Sequence, residues 1–215
     1  EDTAVDWTVR EGAIVGKGIA QRGSYLVWKD DRLADFELEL QYRIFGEGNT
    51  GIELRARPDT TGKRPFEAYH ADLGHVGIGE HILGAWDFQF GKGTREEPPC
   101  PRGTRLIIDE SGKLHSHRLP NGVSQRDIHR QQWNHVRVVA RGNQFRFYIN
   151  NQIASQFTDN AKDGQLARGA IGLQIHDPGM HVEFKDIRLR RLDNKALSTV
   201  HINRGVQYAE NPPME

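Results

Sequence analysis

Three pairs of polar side chains stand two residues apart in otherwise apolar stretches: Glu53 with Arg55, His70 with Asp72, and Gln174 with His176. On an extended chain, residues i and i+2 point to the same face, so each pair shares a side of its strand. Two carboxylates, two imidazoles and a guanidinium are the usual parts of acid–base catalysis: a base, a proton donor, and a fixed positive charge for an anion as it develops. Strand parity alone does not bring the three pairs into one groove. Glu53 and Arg55 can equally form a solvent-facing pair worth only about 0.2–1 kcal/mol.

The surrounding residues say what must position them. In 49–55, Ile52 and Leu54 alternate with Glu53 and Arg55; in 169–176, Ile171, Leu173 and Ile175 oppose Gly172, Gln174 and His176. Period-two alternation predicts half-buried strands, with the polar face lining a wetter groove. Similar β-type runs recur at 36–45, 65–73, 83–90, 104–109, 133–141, 144–149 and 182–192, between Gly, Asn, Asp and Pro turns. Such spacing predicts an all-β sandwich or barrel. Asn150-Asn151 reads as a tight hairpin turn, because Asn tolerates positive φ. The alternation slips at Lys185-Asp186, which predicts a bulge. The domain is expected to span 1–192. Residues 193–215, without clear period and ending Asn211-Pro212-Pro213-Met214-Glu215, read as a tail. The Gly/Pro-rich charged stretch 91–103 reads as a lid or rim loop.

Composition narrows the partners. The 215 residues hold 29 basic and 29 acidic side chains, a formal charge of zero. Nucleic acid and anionic membrane surfaces recruit a basic excess, so neither is an expected partner. No apolar run approaches the roughly 20 residues that span a bilayer. The single cysteine, Cys100, leaves no internal disulfide and reads as an incidental thiol. The chain opens at Glu1 without Met, as a mature exported chain would, and the expected location is periplasmic or extracellular. Gly16-Lys17-Gly18 has no following helix and is no phosphate loop. His115 and His117 read as a solvated strand face, and His135 as an exposed sheet residue.

Read in order, the motifs resemble the 3-keto-disaccharide hydrolase family. They are Asp35-Phe36-Glu37-Leu38 with Tyr42-Arg43, Gly48-Asn49-Thr50-Gly51-Ile52-Glu53-Leu54-Arg55, Phe66-Glu67-Ala68-Tyr69-His70-Ala71-Asp72, and Trp133-Asn134-His135-Val136-Arg137. Tyr148-Ile149-Asn150, the segment 169–176 and Val182-Glu183-Phe184-Lys185-Asp186-Ile187 complete the set. The resemblance implies a concanavalin-A-like jelly-roll β-sandwich of two antiparallel sheets. The chain departs from the family pattern at Thr50, where Ser is usual, at His70, where Gln is more frequent, and in a rearranged stretch over 74–91.

The resemblance also implies a sugar or glycoside substrate whose C3 hydroxyl has become a ketone. The ketone acidifies the C2 proton, a base removes it, and the C1 substituent leaves by β-elimination; hydration of the enone gives net hydrolysis. On this reading His70 or His176 acts as base or acid, Arg55 stabilises the enolate, and Asp72 or Glu53 orients an imidazole. Gln174, Trp86 and Tyr69 are assigned to substrate binding, since pyranose C–H faces pack on aromatic rings. A divalent metal is an alternative electrophile, held by His70, Asp72, Glu53 and His176 as a mixed N/O set. The competing functions are a non-catalytic carbohydrate-binding module and a laminin-G-like interaction domain, because one fold hosts all three.

Overall fold

The computed structural model describes residues 6–18, 23–46, 48–62, 65–74, 82–89, 100–192 and 199–201. Its first strands are β1 (Trp7–Arg10), β2 (Ala13–Lys17), β3 (Ser24–Leu33), β4 (Phe36–Phe45), β5 (Gly51–Pro58), β6 (Phe66–Asp72) and β7 (Trp86–Gln89). There follow β8 (Thr104–Ile108), β9 (Leu114–Arg118), β10 (Asn134–Arg141), β11 (Gln144–Ile149), β12 (Gln152–Asp159), β13 (Gly169–Ile175), β14 (His181–Arg191) and β15 (Thr199–His201). A single 3-10 turn, Gln125–Asp127, is the only helical element among the described residues.

The strands form two sheets. The larger runs β1-β2-β14-β4-β10-β11-β12-β8-β9, with β15 alongside β14; the smaller runs β3-β13-β5-β6-β7. This is the expected sandwich of the jelly-roll type. One pair departs from the all-antiparallel expectation: β8 and β12 run parallel.

Alternation builds the large sheet. Phe36, Leu38, Leu40 and Tyr42 of β4 are buried, while Glu37, Glu39, Gln41 and Arg43 between them are half-buried on the outer face. β10 repeats the pattern with Val136, Val138 and Ala140 inward. Between the sheets, Phe145 and Phe157 stack at 4.4 Å, and Tyr69, Trp86 and Phe88 of the small sheet close on them. Each such ring removed from water contributes about 1.5–3 kcal/mol.

The local predictions meet the structure in detail. Asn150 and Asn151 both take positive φ in a two-residue hairpin that closes Ile149 on Gln152. Asp186 takes φ 52° at a register shift in β14, and its carboxylate accepts from Gln41 Nε2 at 2.7 Å. The tail is not wholly aperiodic: Thr199–His201 pairs antiparallel with Arg188–Arg190 of β14. The predicted loop over 91–103 lies mostly outside the described residues.

The small sheet corrects one expectation. Its central strands are buried on both faces, not half-buried: β13 and the first part of β5 are buried at every position. The polar face is therefore enclosed rather than wet.

Candidate active site

Register assembles the site. Gly172 of β13 lies beside Glu53 of β5, Glu53 beside His70 of β6, and His70 beside Asp87 of β7. One step along, Gly51 of β5 lies beside Asp72 of β6. Gln174 lies beside Tyr25 of β3. Ile52, Leu54, Tyr69, Ala71, Ile171 and Leu173 turn inward to the core, so parity sends Glu53, His70, Asp72, Asp87 and Gln174 to the opposite face. All are nearly sealed from solvent: Glu53 0%, His70 1%, Gln174 2%, Asp72 5% and Asp87 8% exposed.

His70 is the centre. Its Nδ1 lies 3.0 Å from Glu53 Oε1, and its Nε2 lies 4.0 Å from Asp72 Oδ2. The imidazole rests against the backbone of β5 at Gly51, where a Cβ would come within 2.2 Å of His70 Cε1 and Nε2. Only glycine leaves that space. Burial works to lower the His70 pKa, but the charge and hydrogen bond of Glu53, helped by Asp72 and Asp87, outweigh it and raise it to about 9. Burial raises the Asp72 carboxyl to about 6, with the His70 charge opposing and Asp87 adding to the rise. The result is an imidazolium facing a carboxylate across a gap too long for a direct hydrogen bond.

Among the described residues, Glu53 Oε2, Asp72 Oδ1 and Gln174 Oε1 on this face find no hydrogen-bond partner. Buried polar atoms are rarely left so. Gln174 Nε2 donates to the Tyr25 hydroxyl at 3.1 Å, and the Thr50 hydroxyl donates to the Gln174 backbone carbonyl. An apolar patch of Ala56, Ala68 and Ala170, with Val27 and Phe66 against it, also belongs to the small sheet.

His176 follows β13 and is partly exposed. Its Nδ1 lies 2.9 Å from Asp177 Oδ1. Asp177 Oδ2 accepts from the Asn49 N–H at 2.7 Å, and the Asn49 carbonyl accepts from the His176 N–H at 3.1 Å. The side chain of Asn49 also stands near enough to Asp72 to work against the rise of its pKa. Asn49 and Asp177 thus connect His176 to the buried group without placing it there.

Three assignments from sequence are overturned. Arg55 does not share the face of Glu53. It is an extra residue in β5, at φ 51°, where the pairing with both β6 and β13 shifts register. The bulge turns its side chain into the core, with the guanidinium 4.7 Å above Phe145. There it donates to the carbonyls of Ala34 (2.9 and 2.7 Å) and Leu166 (2.8 Å). Period-two counting fails at such a bulge. Trp86 is fully buried among Phe145, Phe147 and Phe157, and offers no ring to a sugar. Tyr69 is likewise in the core, donating to Asp159 Oδ2 at 2.8 Å and accepting from the Leu166 N–H at 3.1 Å.

Of the four residues named for a metal, Glu53, His70 and Asp72 come together and His176 stands apart. Glu53 engages His70 Nδ1 and Asp177 engages His176 Nδ1. Among the described residues no group of three or more His, Cys, Asp and Glu is arranged to hold a metal ion. Sequence reasoning missed Asp87, Asn49, Asp177 and Tyr25. Asp87 had a signal: it alternates with Trp86 and Phe88, both core residues.

The family model described as the 3-keto-alpha-glucoside-1,2-lyase-like domain matches residues 1–190. The chain belongs to that family. A glycosyl hydrolase-like protein from Parabacteroides distasonis superposes with a TM-score of 0.57 at 17% identity, covering 88% of this chain and 85% of that one. A Bacillus subtilis protein of unknown function with a galectin-like fold gives 0.53 at 10% identity, covering 86% of each chain. The carbohydrate recognition domain of Emp46p, in its potassium-bound form, gives 0.51 at 12% identity, covering 85% of this chain and 84% of that one. These likenesses show the fold. No curated protein matches the chain. Among the described residues no helix is long and apolar enough to cross a membrane.

Proposed function

We propose that this protein cleaves 3-keto-α-glucosides by β-elimination in the enclosed face of the small sheet. The observation that carries the reading is the His70 imidazole, held between Glu53 at 3.0 Å and Asp72 at 4.0 Å in a buried site. Its membership of the 3-keto-alpha-glucoside-1,2-lyase-like family supports the substrate class.

The chemistry follows from the two raised pKa values. Asp72, a carboxylate with its basicity increased by burial, takes the C2 proton. The C2–H electron pair moves toward C3, and the ketone oxygen becomes an enolate stabilised by the His70 imidazolium. Glu53 keeps His70 protonated and oriented. The enolate then collapses to reform the ketone with a C1=C2 double bond, and the C1–O bond breaks. His176, partly exposed beside Asp177, protonates the departing oxygen. Addition of water across C1=C2 would complete hydrolysis. Neutralising charge as it develops is commonly the largest catalytic contribution. Export to the periplasm or exterior fits such a role in carbohydrate breakdown.

The test is product formation from a 3-keto-α-glucoside, followed by mass spectrometry, for wild type, Asp72→Asn and His70→Ala. Cleavage by wild type, with loss in both variants, supports the assignment. A wild type that binds glucosides yet leaves the 3-keto derivatives intact makes the protein a binding module.

A further inference from the structure

Oxygens left without a partner on the buried face can only accept hydrogen bonds when the carboxyls are ionised. Glu53 Oε2, Asp72 Oδ1 and Gln174 Oε1 therefore ask for a ligand that donates. A 3-keto sugar presents two kinds of oxygen, hydroxyls that donate and one ketone that only accepts. His70 is the cation able to serve the ketone.

Gln174 is the residue that can tell the two apart. A free amide presents either its oxygen or its NH2 and is indifferent between acceptor and donor ligands. Here one N–H of Nε2 donates to the Tyr25 hydroxyl at 3.1 Å, which turns Oε1 away from Tyr25, and the strand is further held where the Thr50 hydroxyl bonds the Gln174 carbonyl. Among the described residues its Oε1 acceptor has no partner, on a side chain only 2% exposed.

Resting on the reaction above, we propose that Gln174, oriented by Tyr25, is a specificity residue whose buried Oε1 accepts a sugar hydroxyl. It thereby binds the 3-keto sugar in the one register that places the ketone at His70. Tyr25 is the positioning residue behind it. A site built around a ligand hydroxyl discriminates strongly against an analogue lacking it, because the buried acceptor is then stranded.

The experiment uses calorimetric titration of methyl α-glucopyranoside and its 2-, 4- and 6-deoxyfluoro analogues, in which fluorine fills the hydroxyl position without donating. Wild type is compared with Gln174→Met and Tyr25→Phe, and cleavage of the 3-keto methyl glucoside is measured alongside. For wild type, affinity for one analogue falls on the order of tenfold or more against the parent. Gln174→Met brings that ratio to within about twofold, and Tyr25→Phe lowers it while the parent still binds. A purely structural role would weaken parent and analogue together and leave the ratio unchanged, which overturns the proposal. Should Gln174→Met fail to fold, the ratio in Tyr25→Phe decides. Binding with the predicted ratios but no cleavage defeats the reaction and leaves Gln174 as the hydroxyl reader. Cleavage with unchanged ratios defeats the specificity role alone, and absence of any binding defeats both.

Discussion

The imidazole of His70 occupies the space that a side chain on Gly51 would need. A methyl group there would sit 2.2 Å from both Cε1 and Nε2 of the ring. The strand that supplies Glu53 as hydrogen-bond partner thus also supplies, two residues earlier, the floor on which the ring rests.

Gly51→Ala should therefore push the ring off its position against Glu53. Displacement of about 1 Å in a catalytic group can cost on the order of 100-fold in rate. The expected result is such a fall in kcat/KM, with about 1–3 kcal/mol of lost stability from overpacking. Steady-state kinetics and urea denaturation measure the two.

Activity should follow a bell in pH. The working form has Asp72 ionised and His70 protonated, which holds between about 6 and about 9. Glu53→Gln removes the charge that keeps His70 protonated, so the alkaline limb should move to lower pH. A limb that stays in place would remove His70 from the role of proton-bearing group.

Stability should fall as pH rises. A histidine whose folded pKa of about 9 lies above the ordinary 6.5 binds its proton more tightly in the fold. Its contribution is complete below 6.5 and lost as pH rises through 9. Asp72, raised from 3.8 to about 6, acts in the same direction at lower pH, stabilising below 3.8 and losing that as pH rises through 6. The melting temperature of wild type should decline between pH 6.5 and 9, and His70→Gln should flatten that stretch of the curve.

Arg55→Ala should harm folding rather than chemistry. It strands the Ala34 and Leu166 carbonyls in the core and removes the cation above Phe145. Losing partners of buried groups costs on the order of 2–5 kcal/mol. The alkaline and acid limbs of the pH profile should remain where wild type has them. Were Arg55 the enolate stabiliser that the family resemblance implies, kcat would fall with little change in stability.

Tyr69→Phe should behave likewise. It removes the hydrogen bonds to Asp159 and from the Leu166 N–H, at a cost of about 1–3 kcal/mol, without altering the affinity for glucosides. Thermal melts and titration calorimetry separate these effects.

The sandwich was legible because its signals are local. Alternation in β4, the Asn150-Asn151 turn and the slip at Asp186 each depend on a few neighbouring residues. The pairing of His70 with Asp72 and the isolation of Glu53 from Ile52 and Leu54 were legible by the same parity. Arg55 was not, since one positive-φ residue cancels the parity rule and nothing in its type announces it. Trp86 and Tyr69 were misassigned because an aromatic residue suits a sugar platform and a core equally well. Asp87, between Trp86 and Phe88, was legible by parity, whereas Asn49 and Asp177 depend on which segments become neighbours, and that is decided far apart in the chain.

The bulge in β5 has a consequence for insertion and deletion. Arg55 stands outside the ladder: Leu54 pairs with Ile171 and Ala56 with Ala170, consecutive rungs on the neighbouring strand. Removing this one residue would leave Glu53 and Ala56 on the faces they now occupy, whereas removing any regular residue before it would invert the strand and send Glu53 into the core. The strand carries two messages in different reading frames, one for the chemistry and one for the anchor, and only the second can be erased without garbling the first.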